Sequence, residues 1–271
     1  MEDQVNRLVE KVWDKFQTLP RSQRYLIAIS GIPGSGKTTL STTLSTRLND
    51  LHLASSPGTA SSGNVIATAI PMDGYHLTRS QLSSLPNPQN AHARRGAAFT
   101  FDGEKYLQLV RKLREPLLPE TTTMYAPSFD HKKKDPVEND IPISPSMRIC
   151  IFEGNYCALS KPPWSNAASL MDDIYFVSVP FPTAKRRLIR RHIEAGIASN
   201  ESEAAQRADE NDLVNGREIV ENQVRIDEVI ESREDGEWAP DGQVQRQERK
   251  TSRPTLEAEG SSFDCINLCI C

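Results

Sequence analysis

The chain has 271 residues, of which 37% are hydrophobic and 25% charged, and its formal net charge is −4. This length accommodates one ordinary α/β domain or two small ones, and the acidic balance does not favour a nucleic-acid-binding protein. No apolar run is long enough to span a membrane, and the N-terminus lacks the pattern of a secretory signal. The five cysteines form no paired framework, so we expect a cytoplasmic protein. From its charge and hydropathy we expect no nucleic-acid or membrane partner, and we make no prediction of its oligomeric state.

The first predicted element is an amphipathic helix over residues 3–18, because apolar side chains from Val5 to Phe16 recur at helical spacing. Pro20 ends this helix. We therefore expect residues 1–20 to pack as a helix on the domain that follows.

Residues 31–38 read Gly-Ile-Pro-Gly-Ser-Gly-Lys-Thr and fit the phosphate-binding pattern G-x-x-x-x-G-K-[ST]. Residues 24–30 predict a buried strand before this loop, and residues 38–48 predict a helix after it. Backbone N–H groups of such a loop and the positive end of its helix bind phosphate oxygens. In this pattern Lys37 reaches the β- and γ-phosphates, and the Thr38 hydroxyl holds Mg²⁺. The predicted nucleotide contacts within the loop are Gly31, Ile32, Pro33, Gly34, Ser35, Gly36, Lys37, Thr38 and Thr39.

A second strand, over residues 65–70, follows a Ser- and Gly-rich stretch at 54–63 that predicts a flexible surface insertion. The strand runs into Asp73. Ligands bind beyond the carboxyl ends of parallel strands, so Asp73 is a candidate for the base that accepts a hydroxyl proton during phosphoryl transfer. An equal alternative is a turn role beside Gly74, because Asp-Gly is a common turn pair.

The middle of the chain predicts polar connections, a helix and a third strand. Residues 77–98 predict a loop or cap segment, and Asp102 stands where the N-cap of the next helix is expected, a role that alone could explain it. Residues 125–136 form another polar stretch with interleaved aromatic residues. The third strand, 147–152, ends at Glu153, and an acid in that position beside a phosphate loop commonly serves Mg²⁺.

A basic helix follows the fourth strand, which is predicted over residues 174–179. Thr183 is the expected N-cap of this basic helix. The helix is either an exposed basic surface or a lid whose arginines neutralise charge on a transferring phosphoryl group. Further helices are expected over 201–210 and up to about residue 223, before a fifth strand at 226–230.

Residues 233–271 are polar and predict a largely disordered tail. Three cysteines, Cys265, Cys269 and Cys271, lie at its end. They do not make up the four ligands of a structural zinc site.

Several motifs, in this order and spacing, resemble those of the uridine kinase, phosphoribulokinase and bacterial pantothenate kinase group of P-loop kinases, most closely its uridine kinase-like branch. The resemblance covers about residues 22–232. Besides the phosphate loop, the matching elements are Asp-Gly-Tyr-His-Leu at 73–77, Arg-Arg-Gly-Ala-Ala-Phe-Thr-Phe-Asp at 94–102, Tyr-Ala-Pro-Ser-Phe-Asp at 125–130, Glu-Gly-Asn-Tyr at 153–156 and Arg-Leu-Ile-Arg-Arg-His-Ile-Glu-Ala-Gly at 187–196.

The resemblance implies a three-layer α/β/α P-loop NTPase fold over residues 21–232. Its parallel sheet has five strands in the order 2-3-1-4-5, with the phosphate-loop strand central and right-handed crossovers placing helices on both faces. A helical lid is expected at about residues 183–212.

Roles for individual residues also follow from the resemblance. It implies that Asp73 is the general base, that Glu153 lies near Mg²⁺ and that Asp102 holds acceptor hydroxyls. Lid contacts to phosphate are expected from Arg187, Arg190 and Arg191. The residues expected to contact the acceptor are Asp73, Tyr75, His76, Arg95, Asp102, Tyr125, His131 and Asn155.

The preferred hypothesis is therefore a kinase that uses ATP and Mg²⁺ to phosphorylate a hydroxyl of a small metabolite of the nucleoside, vitamin-precursor or sugar type. Its catalytic residues would be Asp73, Lys37, Arg187 and Arg191. GTP is disfavoured because the chain lacks an Asn-Lys-x-Asp element. The alternative is a P-loop ATPase or nucleotide-switched binding protein without a small-molecule acceptor, and a binding protein that has lost catalysis is disfavoured by the intact motifs.

Overall fold

A parallel sheet with β1 at its centre organises the protein. The computed structural model describes residues 1–55 and 65–235. The strands within these residues are β1 (Tyr25–Gly31), β2 (Ala67–Pro71), β3 (Met124–Asp130), β4 (Asp135–Ile143), β5 (Ile149–Glu153), β6 (Asp173–Ser178) and β7 (Glu228–Glu231). The helices within them are α1 (Glu2–Thr18), α2 (Lys37–Ser55), α3 (Arg79–Ser83), α4 (Pro88–Ala93), α5 (Gly103–Arg114), α6 (Trp164–Ala168), α7 (Phe181–Glu194), α8 (Glu201–Arg207) and α9 (Leu213–Glu221).

Five strands form the main sheet in the order β2-β5-β1-β6-β7. All of the pairings are parallel. Counted along the chain within this sheet, the order is 2-3-1-4-5, so the predicted fold class and strand order are confirmed. Every residue of β1 and β5 is buried, as expected of parallel strands covered by helices on both faces.

The strand register brings three functional segments to one edge of the sheet. Glu153, the last residue of β5, pairs with Ile29 of β1 on one side and with Pro71 of β2 on the other. The phosphate loop leaves β1 just beyond Ile29, and Asp73 lies two residues beyond Pro71. The carboxyl ends of three adjacent strands therefore hold the loop, Asp73 and Glu153 next to one another.

The helix α1 covers the edge of the sheet through both apolar and polar contacts. Its buried face carries Val5, Leu8, Val9 and Val12. The side-chain amide of Gln4 donates to the carbonyl of Glu231 and accepts from its N–H, both at 3.0 Å. These bonds satisfy backbone groups that an edge strand would otherwise leave unpaired.

The polar stretch at 125–136, for which no strand was predicted, forms most of an antiparallel hairpin of β3 and β4. Proline and aspartate interrupt the alternation by which strands are recognised in a sequence. At the turn, the Asp130 carboxylate accepts hydrogen bonds from the N–H groups of Lys132 at 2.8 Å and Lys133 at 3.0 Å. Lys134 completes the turn with a φ of 57°.

Three other local predictions are also corrected. The helix α7 begins at Phe181 with Pro180 at its N-cap, and no side chain caps it, so Thr183 is not the cap; Pro182 suits this first turn because its fixed φ is helical. The segment 77–98 contains the short helices α3 and α4. From α8 to α9 the chain remains helical through a π-helical segment at 208–212, whereas the sequence predicted that the helix ends at residue 210.

Several predictions lie wholly or partly outside the described residues: most of the surface insertion at 54–63, nearly all of the C-terminal tail, and its cysteines. Among the residues that are described, no helix has the length and hydropathy required to cross a bilayer.

Gly74 allows the hairpin to pack on the segment that carries Asp73. A Cβ atom at Gly74 would lie 2.1 Å from the carbonyl oxygen of Pro127, which belongs to the backbone and cannot rotate away. We therefore expect Gly74→Ala to lower the free energy of unfolding by about 1–3 kcal/mol, the usual cost of forcing extra volume into a packed region. Urea denaturation followed by circular dichroism measures it.

The matched control for Gly74→Ala is Ser80→Ala, at an exposed position of α3. It should unfold within about 0.5 kcal/mol of the wild type. Equal stability of the two variants would contradict the close approach of hairpin and turn.

Candidate active site

A cavity of about 450 Å³ opens at the carboxyl edge of the sheet. Among its lining residues are predicted site residues from the phosphate loop, the two strand ends, the 94–96 loop, the hairpin and α7. These predicted residues are Pro33, Lys37, Thr38, Asp73, His76, Arg95, His131, Glu153, Asn155 and Arg191. Elements far apart in the sequence thus meet around one volume.

The phosphate loop has the backbone conformation that its glycines permit. Gly34 and Gly36 have φ values of 80° and 91°, in the left-handed region that glycine enters without steric cost. A Cβ atom at Gly34 would lie 2.9 Å from the carbonyl oxygen of Ala184. The loop therefore packs directly against the first turns of α7.

Glu153, Lys37 and Thr38 form the polar floor of the cavity. The Thr38 hydroxyl donates to Glu153 Oε1 at 3.2 Å. Burial raises the pKa of the Glu153 carboxyl, and the nearby Lys37 opposes this rise. Burial likewise lowers the pKa of the Lys37 ammonium, which the charges of Glu153 and Asp73 counteract. Each charged form is thus disfavoured by desolvation and favoured by its neighbour.

The same residues fit a bound Mg²⁺. Thr38 offers a hydroxyl oxygen and Glu153 a desolvated carboxylate, and oxygen ligands of this kind suit Mg²⁺. No group of three or more His, Cys, Asp or Glu side chains in the described residues could hold a metal by itself. Mg²⁺ commonly needs no such protein cage, because water and substrate phosphates complete its shell.

Asp73 lies in a 3₁₀ turn over Met72–Tyr75, directly after β2. Its side chain is 45% exposed and lines the cavity. The backbone carbonyl of Asp73 accepts a hydrogen bond from Nδ1 of His76 at 2.9 Å. Asp73 therefore belongs to a turn, as the structural alternative predicted. Its carboxylate also lines the cavity, as the role of a general base requires.

An aromatic and basic group lines the cavity beyond Asp73. The ring of His76 lies 3.9 Å from that of Phe101 and 4.9 Å from that of Phe129, measured between centroids. Phe129 is also 5.2 Å from the ring of His131, and the Arg95 guanidinium lies 5.6 Å from its centroid. Phe101 and Phe129 were not predicted as site residues, because isolated phenylalanines in a polar stretch are not distinguishable from packing residues.

Several predicted site residues do not line the cavity. Tyr75 is only 2% exposed and packs edge-to-face on Tyr106 in the core. Asp102 caps α5, accepting from the N–H of Lys105 at 2.9 Å. Tyr125 is 51% exposed on β3. The remaining predicted residues outside the lining are Gly31, Ile32, Gly34, Ser35, Gly36, Thr39, Arg187 and Arg190.

Only one of the three predicted arginines of α7 lines the cavity. Successive helical residues point about 100° apart, so Arg190 and Arg191 leave α7 in different directions. Arg191 lines the cavity, whereas Arg190 pairs with Glu194 at 2.8 Å beside a separate, shallow depression. Arg190 therefore lies outside the cavity lining, and its phosphate contact stays a prediction. Arg187 Nη1 donates to the carbonyl of Gly34 at 3.0 Å and to Ser232 Oγ at 2.9 Å, so it supports the phosphate loop from outside the cavity.

The chain is 47% identical over 159 residues to the ATP-dependent kinase-like protein notR' of Aspergillus versicolor, a match that covers 59% of this chain and 92% of that protein. It is 40% identical over 215 residues to a Schizosaccharomyces pombe protein provisionally named a uridine kinase, a match that covers 79% of this chain and 86% of that protein. The chain belongs to the uridine kinase-like P-loop kinases.

The fold of this uridine kinase-like protein also matches a solved structure. A Silicibacter sp. TM1040 protein, provisionally named a fructose transport system kinase, superposes with a TM-score of 0.69 and 30% identity over 83% of this chain and 98% of that chain. No protein-family model matches the chain. The family resemblance predicted from the motifs is confirmed.

In this uridine kinase-like protein a buried network ties the 94–96 loop to the helical segment after α8. Arg94 Nε donates to Asn211 Oδ1 at 3.0 Å, and its Nη2 donates to Asn215 Oδ1 at 2.6 Å. Asn211 Nδ2 donates in turn to the carbonyl of Arg95 at 2.9 Å. Both asparagines are at least 96% buried. The network fixes the loop from which Arg95 enters the cavity.

We expect Arg94→Met to lower the free energy of unfolding by about 2–4 kcal/mol, because two buried amide oxygens would lose their donors. Arg111→Met, at an exposed position of α5, is the control and should change the free energy by less than about 0.5 kcal/mol. Urea denaturation of both variants measures the difference. Equal stability of the two would mean that the network contributes nothing to folding.

His76 should make stability depend on pH. Burial lowers the pKa of its imidazole, and the neighbouring Asp73 only partly opposes this. Below the unfolded-state pKa of about 6.5 the unfolded chain binds the proton more readily than the folded chain does, so stability falls as the pH falls. We expect His76→Gln to lose less free energy of unfolding between pH 7.5 and pH 5.5 than the wild type. Identical losses would show that this imidazole titrates alike in both states.

Proposed function

We propose that the protein transfers the γ-phosphoryl group of ATP to a hydroxyl group of a small metabolite. The observation that carries the proposal is the meeting of the Asp73 carboxylate, the Lys37 ammonium and the Thr38–Glu153 pair at one end of a single cavity. A loop that only bound a nucleotide would need no carboxylate opposite its lysine. Family membership supports an ATP-dependent kinase, and the acceptor is the finer part of the proposal.

Phosphoryl transfer requires positioning and charge neutralisation more than covalent participation of the protein. Lys37 would bind the β- and γ-phosphates, and the helix start and N–H groups of the loop would bind the remaining oxygens. Mg²⁺, held by Thr38 and next to Glu153, would neutralise charge on the phosphates when bound. Lys37, Thr38 and Glu153 line the same cavity, which supports their acting together on the γ-phosphoryl group.

Asp73 would orient the acceptor hydroxyl and accept its proton. The acceptor oxygen forms a bond to the γ-phosphorus, the bond from that phosphorus to the β–γ bridging oxygen breaks, and ADP leaves with the electron pair. Among the described residues no side chain or N–H group donates to the Asp73 carboxylate; His76 Nδ1 lies 3.9 Å from its Oδ1, and the side chain is 45% exposed, so the carboxylate is accessible to an incoming hydroxyl.

The basic helix α7 would complete the site. Arg191 lines the cavity, and its charge acts on both Lys37 and Glu153. Arg187 would act as a positioning residue, because its contact is with the backbone of the phosphate loop. We infer that α7 and the helical segment up to about residue 212 form the lid, with Arg191 its contact to the transferring group.

The test measures ADP release with ATP, Mg²⁺ and a panel of nucleosides, vitamin precursors and sugars. At least one acceptor should raise the rate above that with water alone. Asp73→Asn should reduce acceptor-dependent release by about 10²-fold or more while leaving ATP binding intact, because the amide cannot accept the proton. Lys37→Ala should instead weaken ATP binding.

Asp14→Asn, at an exposed position of α1, removes the same charge elsewhere and should retain wild-type activity. A rate that no acceptor raises, together with undiminished ATP hydrolysis in Asp73→Asn, would favour a P-loop ATPase or nucleotide switch over the kinase.

A further inference from the structure

The acceptor side of the cavity is rich in hydrogen-bond donors. Arg95 and Lys134 line it as cationic donors, and Arg95, His76 and His131 lie around the ring of Phe129. Arg95 and Lys134 carry positive charge at neutral pH. Lys134 is exposed at the rim of the cavity and makes no ion pair with any residue of the described ranges 1–55 and 65–235.

The carboxylates that line the same cavity are already engaged, with one exception. Glu153 accepts from Thr38, and Asp212 pairs with His192 at 2.9 Å. Asp73 alone faces the acceptor side, and the proposed reaction uses it as the base. Asp135 contacts Arg95 at 3.2 Å but also pairs with Arg79 at 3.3 Å, and it does not line the cavity.

This distribution disfavours an acceptor that is recognised through several neutral hydroxyls. A vicinal diol is held best by a carboxylate that accepts from both hydroxyls. Asp102, which the family resemblance assigned to that role, instead caps α5 and lies outside the lining. Among the charged side chains on the acceptor side, the two cationic donors Arg95 and Lys134 outnumber the single carboxylate, that of Asp73.

Arg95 is the best placed of the donors. Its side chain is 15% exposed, and its Nη2 donates to the carbonyl of Leu77 at 3.1 Å as well as to Asp135. These two bonds and the ring of Phe129 fix the guanidinium before any ligand binds. A rigid, largely buried guanidinium binds carboxylate or phosphate oxygens more strongly than neutral ones.

We propose that the acceptor is an acid, carrying a carboxylate or phosphate group in addition to the hydroxyl that receives the phosphoryl group. Arg95 binds this anionic group, and Lys134, at the rim of the cavity, contributes further positive charge. The acceptor hydroxyl then lies next to Asp73, between the anion site and the γ-phosphoryl position. This inference rests on the proposed kinase function and adds the chemical class of its substrate.

The experiment compares ADP release for matched acidic and neutral alcohols. Glycerate with glycerol and pantothenate with pantothenyl alcohol test a carboxylate; fructose 6-phosphate with fructose and ribulose 5-phosphate with ribulose test a phosphate. Uridine is included as a neutral nucleoside. For at least one pair the acidic member should give a kcat/KM about 10–100-fold above its neutral partner, the usual range for a hydrogen bond to a charged group.

Variants separate anion binding from a general loss of activity. Arg95→Met should raise the KM of the acidic acceptor about 10–100-fold, with a smaller increase for Lys134→Met and an unchanged KM for ATP in both. Lys132→Met, in the same turn but outside the cavity lining, is the control and should behave as the wild type.

The outcomes distinguish the two proposals. If the kcat/KM of uridine or of the neutral alcohols equals that of the acidic acceptors, the inference is overturned and the kinase function stands. If Arg95→Met raises the KM of neutral and acidic acceptors equally, Arg95 does not recognise an anion and the inference is again overturned. If no member of the panel raises ADP release, the kinase function itself is contradicted.

Discussion

The pairing of β5 between β1 and β2 is the constraint on which the active site depends. Glu153 is the last residue of β5, and its register places it beside the strand that leads into the phosphate loop and beside the strand that leads to Asp73. A slip of one residue would turn every side chain of β5 to the opposite face. The complete burial of β1 and β5 keeps this register, so the packing of the core holds the carboxylates in position.

Burial then sets the electrostatic character of the site. Desolvation lowers the pKa of Lys37 and raises the pKa of Glu153, and in each case the charge of the other residue is the main effect that opposes the shift. A phosphate group entering beside Lys37 would meet an ammonium that has lost part of its hydration. Electrostatic interactions in such a partly desolvated site are stronger than in water. The acidic net charge of the whole chain is therefore a poor guide to the local charge around this cavity.

The acceptor side has a different origin from the nucleotide side. It is assembled from the 3₁₀ turn after β2, the 94–96 loop and the β3–β4 hairpin, which belong to no common sheet. Gly74 permits the hairpin to approach the turn, and Arg94 ties the loop to the helical segment beyond α8. Long-range packing thus orients Arg95 and Phe129, and with them the chemistry that selects the acceptor.

The sequence by itself determined the sheet, its strand order through the family resemblance, and the nucleotide side of the site. The five predicted strands lie within two residues of the observed ones, because buried runs and a phosphate loop are local patterns whose meaning survives without the rest of the chain. Only the tertiary structure decided which of Arg187, Arg190 and Arg191 faces the cavity, that Asp102, which the sequence predicted as an N-cap, lies outside the cavity lining, and that Phe129 joins Arg95. Those outcomes depend on helix rotation and on contacts between segments distant in the chain, which no local pattern specifies.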